Sequence, residues 1–121
     1  PGPNAQILIT ALDDQITDTL EPVNARNMFD AGTTRIYLFV EFRGMQQGVQ
    51  WRRALYKDGR LIEQNAYLWG LETRGQSYFF FGNDGGFDAG RYDVHLFIGD
   101  SDIPISTVSF SIRPEDTADQ D

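Results

Sequence analysis

Apolar and polar residues alternate along most of this chain, at the period of strands that bury one face. In the run Gly90-Arg91-Tyr92-Asp93-Val94-His95-Leu96-Phe97-Ile98, a turn glycine is followed by Tyr92, Val94, Leu96 and Ile98 on one side and Arg91, Asp93, His95 and Phe97 on the other. Residues 33–43 repeat the pattern, with Ile36, Leu38, Val40 and Phe42 on one face and Tyr37, Phe39 and Glu41 on its reverse. Further strand-like runs cover residues 6–12, 49–57, 61–64, 77–81 and 105–112, the last pointing Val108, Phe110 and Ile112 inward. The parity of 49–57 is ambiguous, because Trp51 and Leu55 share a face with Arg53 while Ala54 and Tyr56 share the other. A bulge, or an Arg53 that snorkels past the core edge, resolves it.

Turn signals separate these runs. Asp58-Gly59 between alternating stretches reads as a two-residue hairpin turn, whose central residues both need positive φ. Gly82-Asn83-Asp84-Gly85-Gly86 ends the 77–81 run, and Gly99-Asp100-Ser101-Asp102 with Pro104 forms the next loop. Residues 14–32 are polar and irregular, an edge segment or long loop whose Met28 and Phe29 plug into the core at its end. Residues 66–75, with Tyr67, Trp69 and Leu71, read as a crossing between sheets. The expected fold is all-β, a two-sheet antiparallel sandwich of seven or eight short strands. Residues 1–4 read as a linker or cloning scar, 5–113 as the sandwich, and 114–121 as a disordered acidic tail or linker.

Composition narrows the chemistry. A chain of 121 residues and 13.7 kDa supports one core. Its net charge of −8 argues against nucleic acid and anionic lipid as partners. Part of that charge sits at Glu115, Asp116, Asp119 and Asp121, so the body is only mildly acidic. The absence of cysteine excludes a disulfide framework, a thiolate zinc site and a cysteine nucleophile. No apolar run is long enough to cross a bilayer as a helix, and no direct membrane insertion is expected. A cysteine-free chain is compatible with an exported bacterial protein, and an extracytoplasmic or cell-surface location is the expectation.

Four features now combine. Trp51, Asp58-Gly59, Gly90-x-Tyr92-x-Val94 and the closing Ser106-Thr107-Val108-Ser109-Phe110-Ser111-Ile112 resemble immunoglobulin-like and fibronectin type III-like sandwich modules over residues 33–112. Trp51 stands where such modules place the core indole of strand C. Gly90-x-Tyr92-x-Val94 resembles the tyrosine corner opening strand F, with Val94 where antibody domains carry a cysteine. The missing disulfide departs from antibody domains and favours a bacterial or fibronectin-like branch. The resemblance implies an architecture and an accessory module of a larger bacterial protein, and no family activity.

The search for a site yields binding surfaces rather than catalysis. His95, the only histidine, lies mid-strand between Val94 and Leu96 with no nucleophile elbow in the chain, so no enzyme activity is expected. The carboxylate pairs Asp13-Asp14, Asp84/Asp88 and Asp100/Asp102 fall in loops and read as solvated turn residues. Asn83, Asp84 and Asp88 could offer hard oxygen ligands to calcium, although the spacing is not that of an EF-hand; otherwise no cofactor is expected. Arg52, Tyr56, His95 and Phe97 point away from the core on adjacent strands and form the candidate interaction face. Tyr37 and Phe39 could meet Tyr78 and Phe80 on the opposite sheet, where cross-strand aromatics also serve stability alone. Tyr67 and Trp69 form either an aromatic platform for a sugar or a plug at the side of the core. The expected role is a non-catalytic spacer or protein-interaction module contacting a protein partner or neighbouring domains. A carbohydrate-binding module is the alternative.

Overall fold

A computed structural model of the protein describes residues 5–115. The expected linker at 1–4 and most of the expected tail at 114–121 lie outside the described residues. The strands are β1 (Gln6–Asp13), β2 (Met28–Phe29), β3 (Arg35–Arg43), β4 (Gln50–Lys57), β5 (Arg60–Leu68), β6 (Gly75–Gly82), β7 (Gly90–Ile98) and β8 (Ser106–Ile112). They form a three-stranded sheet, β1-β3-β6, and a five-stranded sheet, β2-β8-β7-β4-β5. The result is an all-β immunoglobulin-like sandwich. Its pairings are antiparallel except for β2, which lies parallel to β8.

Alternation makes the core. Ile36, Leu38, Val40 and Phe42 of β3 face Tyr92, Val94 and Leu96 of β7, and Trp51, Phe110 and Ile112 complete the layer. Phe29 joins them, whereas its neighbour Met28 is exposed, so only one of the two expected plugs enters the core. The tyrosine corner is present: Tyr92 Oη donates to the Asp88 carbonyl at 2.6 Å, and its ring stacks on Phe110 at 4.9 Å. Burial, reinforced by the carboxylates of Asp88 and Asp58, pushes the Tyr92 hydroxyl up to about 12. The phenol therefore stays a donor at any physiological pH.

The Asp58-Gly59 turn closes the β4–β5 hairpin with φ of 50° and 85°, as two primed-turn residues require. Asp58 also latches the hairpin to β7. Its Oδ1 accepts the Arg91 N–H at 3.1 Å, while its own N–H donates to the Arg91 carbonyl at 2.8 Å. The Arg91 N–H, aided by Lys57, holds the Asp58 carboxyl below its ordinary value. β5 is longer than expected and reaches Leu68, which shortens the crossing to residues 69–74. The register shifts between Leu55 and Tyr56, leaving Ile62 as the extra residue of a bulge.

One side of the sandwich is closed by the segment after β1. Asp13 had been expected to be solvated and is instead fully buried, at 0% exposure. Its carboxylate accepts backbone N–H bonds from Asp14 (2.7 Å), Val23 (2.7 Å) and Asn24 (2.6 Å), and Arg26 Nη1 lies 3.0 Å away. Burial alone would push this carboxyl up. The bonds from Asn24, Asp14 and Val23 outweigh it and hold the group below the usual carboxylate value. One acid thus fixes both ends of the loop at 14–26.

Candidate interaction face and groove

Pairing between β4 and β7 sets Arg52 against Phe97, Ala54 against His95 and Tyr56 against Asp93. The small Ala54 leaves room for Tyr56 and His95 to approach to 4.8 Å between ring centres, and His95 lies 6.2 Å from Phe97. The Arg52 guanidinium sits 4.0 Å above the Phe97 ring. It is held there by the Ser101 carbonyl at 2.7 Å, with Asp102 at 3.7 Å. All four predicted residues therefore line up on one outer face. Their depth differs from expectation: Phe97 is only 6% exposed, because Arg52 covers it. The accessible part of the face is Arg52, Tyr56 and His95, and Phe97 is the apolar bed beneath the guanidinium.

The lower end of this face is polar. Ser109 Oγ bonds Asp93 and accepts from Arg91 Nη2 at 3.2 Å, with Arg91 and Asp93 3.8 Å apart. A row of rings thus runs from a cation at one end to a mixed-charge cluster at the other. His95 packs between the Tyr56 and Phe97 rings.

A groove of about 950 Å³ opens where β5 overhangs the edge of β6. Trp51, Arg53, Tyr67, Trp69, Phe79 and Phe80 are among its lining residues. Arg53 resolves the parity problem of β4 by snorkelling into this groove. Its Nη1 donates to the Phe80 carbonyl at 2.7 Å, and its guanidinium lies 4.4 Å over Phe81 and 5.7 Å from Tyr67.

The two residues of the sugar-platform reading part company here. Tyr67 is 42% exposed beside Trp51, with ring centres 5.2 Å apart. Trp69 is 2% exposed, packed edge-on against Phe42 at 4.7 Å, with Nε1 donating to the Glu72 carbonyl at 2.9 Å. A ring enclosed in this way offers no face to stack on a ligand, so Trp69 is an anchor for the crossing and only Tyr67 remains available.

On the opposite sheet the aromatics meet as expected. Tyr37 lies 5.9 Å from Tyr78 and 5.8 Å from Phe80, and Arg35 caps Phe80 at 4.6 Å. Phe39 is buried rather than outward and free.

The calcium reading gains nothing from the geometry. Asn83 Oδ1 accepts the Gly85 N–H at 3.1 Å, and Asp88 contributes its carbonyl to Tyr92. Among the described residues no group of three or more His, Cys, Asp or Glu side chains could hold a metal ion. Asn83 closes the turn on the N–H groups of Gly85 and Gly86.

Sequence reasoning missed the buried Asp13; it offered a snorkelling Arg53 without identifying the Phe80 carbonyl as its acceptor. An aspartate ending a strand thirteen residues before Arg26 was the available signal for the first.

Comparison with known proteins supplies the fold alone. The sandwich is similar to the CARDB domain of a Pyrococcus furiosus protein whose crystal structure was solved in complex with di-metal ions. The TM-score is 0.51 at 11% identity, over 93% of this chain and 94% of that one. It is also similar to part of the Pseudomonas fluorescens alkylpurine DNA glycosylase AlkC, solved bound to DNA containing an abasic-site analog. There the TM-score is 0.50 at 14% identity, over 90% of this chain and 31% of that one. No protein-family model matches the chain, and no curated protein matches its sequence. At such identities the shared feature is the β-sandwich, and the metal ions and DNA belong to those proteins.

Proposed function

We propose that this chain is a non-catalytic accessory module of a larger bacterial protein, extracytoplasmic or at the cell surface, that contacts a protein partner or a neighbouring domain. The observation that carries the reading is the continuous outer face of β4 and β7. There Arg52, Tyr56 and His95 stand over a buried Phe97. Arginine and tyrosine on an apolar bed are the residues that concentrate binding energy at protein interfaces. Fold likeness to a CARDB domain over nearly the whole chain supports the modular reading.

A photo-crosslinking residue placed at Tyr56 tests this in the producing cell. The expected result is one dominant adduct, which a probe at Glu41 on the other sheet does not form. The purified partner then binds Arg52→Glu and Tyr56→Ala at least about tenfold more weakly. Equal crosslinking at Glu41, or unchanged binding by both variants, would overturn the reading.

A second reading keeps the groove. Tyr67 beside Trp51 and Arg53 forms a partly apolar cleft in which a sugar ring could stack. A glycan array tests it: a hit that is abolished in Tyr67→Ala supports carbohydrate binding, and a hit indifferent to Tyr67 removes it.

A further inference from the structure

The two facing sheets differ in width, and the difference falls beside β6. Sheet β1-β3-β6 ends there, whereas the opposite sheet continues past β4 to β5. β5 therefore carries its inner face, with Asn65 and Tyr67, beyond the last strand of the shorter sheet. Facing sheets lie about 10 Å apart, so the groove under β5 has the height of one further strand laid alongside β6.

Hydrogen-bond parity identifies the free backbone groups of that edge. Just past β6, the Asn83 N–H donates to the Thr34 carbonyl at 2.9 Å, and the register then runs unbroken from Gly82 opposite Arg35 to Gly75 opposite Phe42. By alternation Ser77, Phe79 and Phe81 bond to β3, while Tyr78, Phe80 and Gly82 direct N–H and C=O away from it. These three residues line the groove. The Phe80 carbonyl agrees with that parity, since it accepts from Arg53 Nη1 at 2.7 Å. The guanidinium stands in for the N–H of a neighbouring strand.

Arg53 makes this bond at the expense of another. Its Nε and the Oδ1 of Asn65 are buried without hydrogen-bond partners, although the two residues are directly opposed on β4 and β5. A donor and an acceptor of matching kind are thus left unserved on one face. The groove also has a sign. Arg53 lies 3.9 Å from Glu63, whereas Asp84, at the Gly82 end, enters no ion pair among the described residues. The net charge of −8 favours a cationic ligand in the same direction.

We propose that the groove takes an extended peptide segment of a partner protein as a fourth strand beside β6, antiparallel because that pairing is the more stable per residue. Its backbone pairs with Tyr78, Phe80 and Gly82. Every second side chain is apolar and packs against Trp51, Tyr67 and Phe79, and a Lys or Arg at its N-terminal end meets Asp84. The incoming N–H takes over the Phe80 carbonyl, which frees Arg53 to turn Nε to Asn65 Oδ1. One strand serves the free edge, the overhanging face and both unpartnered groups. A stacked sugar would use Tyr67 but has no repeating backbone to match alternate residues of β6. The site shares no residue with the Arg52, Tyr56 and His95 face, and the two stand or fall separately.

The whole chain is panned against a displayed library of short random peptides, and the enriched sequences are synthesised. Apolar residues at every second position and a basic residue near the N-terminus are expected. Gly82→Pro, which removes an outward N–H, and Tyr67→Ala each weaken binding by about tenfold or more. Arg53→Met, which vacates the Phe80 carbonyl in advance, tightens it several-fold. The peptide supplies a readout independent of the protein's folding: N-methylation at alternate residues abolishes binding, and at the intervening residues it does not. A library that enriches nothing overturns the proposal, and so does a glycan hit on a groove that takes no peptide. Peptides that both Gly82→Pro and Tyr67→Ala leave bound, or whose N-methylation shows no alternation, overturn it as well. Self-association abolished by Gly82→Pro would do the same, by making the occupant a second copy.

Discussion

The two sides of the sandwich are built on opposite principles. On the β1 side, the loop at 14–26 is drawn inward by one buried carboxylate with backbone and guanidinium donors around it. On the β5 side, the longer sheet overhangs the shorter one, and aromatic and apolar side chains reach solvent along an edge and a groove. The loop side is held by a buried carboxylate whose donors come from its own chain, and the β5 side leaves apolar and aromatic side chains in solvent.

Substitutions can break or sharpen that contrast. The largest effect is expected from Trp69→Ala, because this ring closes the core beneath the open side. A loss of about 3–5 kcal/mol in urea unfolding follows from the cavity and the orphaned Glu72 carbonyl. A loss under about 1 kcal/mol would mean that the open side has no anchored floor.

Next comes Asp13→Ala, expected to cost about 3 kcal/mol by leaving buried N–H groups and Arg26 without their acceptor. The same carboxylate sets an acid limit. Its folded pKa is depressed, so its stabilisation is complete above the unfolded value of 3.8 and is lost as pH falls through the lower folded value. Urea midpoints between neutral pH and strong acid should show this loss in the wild type. Asp13→Asn should flatten that part of the profile.

Tyr92→Phe keeps the stacked ring and removes only the corner bond, a cost of about 1 kcal/mol measurable by the same unfolding curves. Smallest of all is Tyr67→Ala on the groove rim, expected within about 0.5 kcal/mol of wild type. A large loss there would make the rim part of the folding core and weaken the division between the two sides.

What the sequence made legible follows the same division. Tyr92, Val94, Leu96 and their β3 counterparts were readable because a period of two assigns each residue to a face from its neighbours alone. The Asp58-Gly59 turn and the Tyr92 corner were readable because a few adjacent residues specify them. The membership of the outer face was legible on the same ground. Its depth was not: Phe97 is covered by Arg52 from another strand, and no local pattern records that. Asp13 and Trp69 were obscure for the same reason, since their partners at Val23, Asn24 and Phe42 come together only in the folded chain. The length of β5 was underestimated because Asn65 and Ala66 are poor strand signals, and pairing with β4 overrides them.

The parallel pairing of β2 with β8 has a mechanical consequence. Ser111 N–H bonds the Asn27 carbonyl and Arg113 N–H bonds the Phe29 carbonyl, so the segment after β1 is stitched to the last strand of the fold. Once β1 has been drawn off β3, tension between the segment preceding β2 and the far end of β8 would pull these parallel partners in opposite directions, along their own length. Such bonds are strained together rather than opened one after another as in an unzipped hairpin. The stitch is short, so it would act as a modest force threshold: it resists brief tugs and yields as a unit under sustained load.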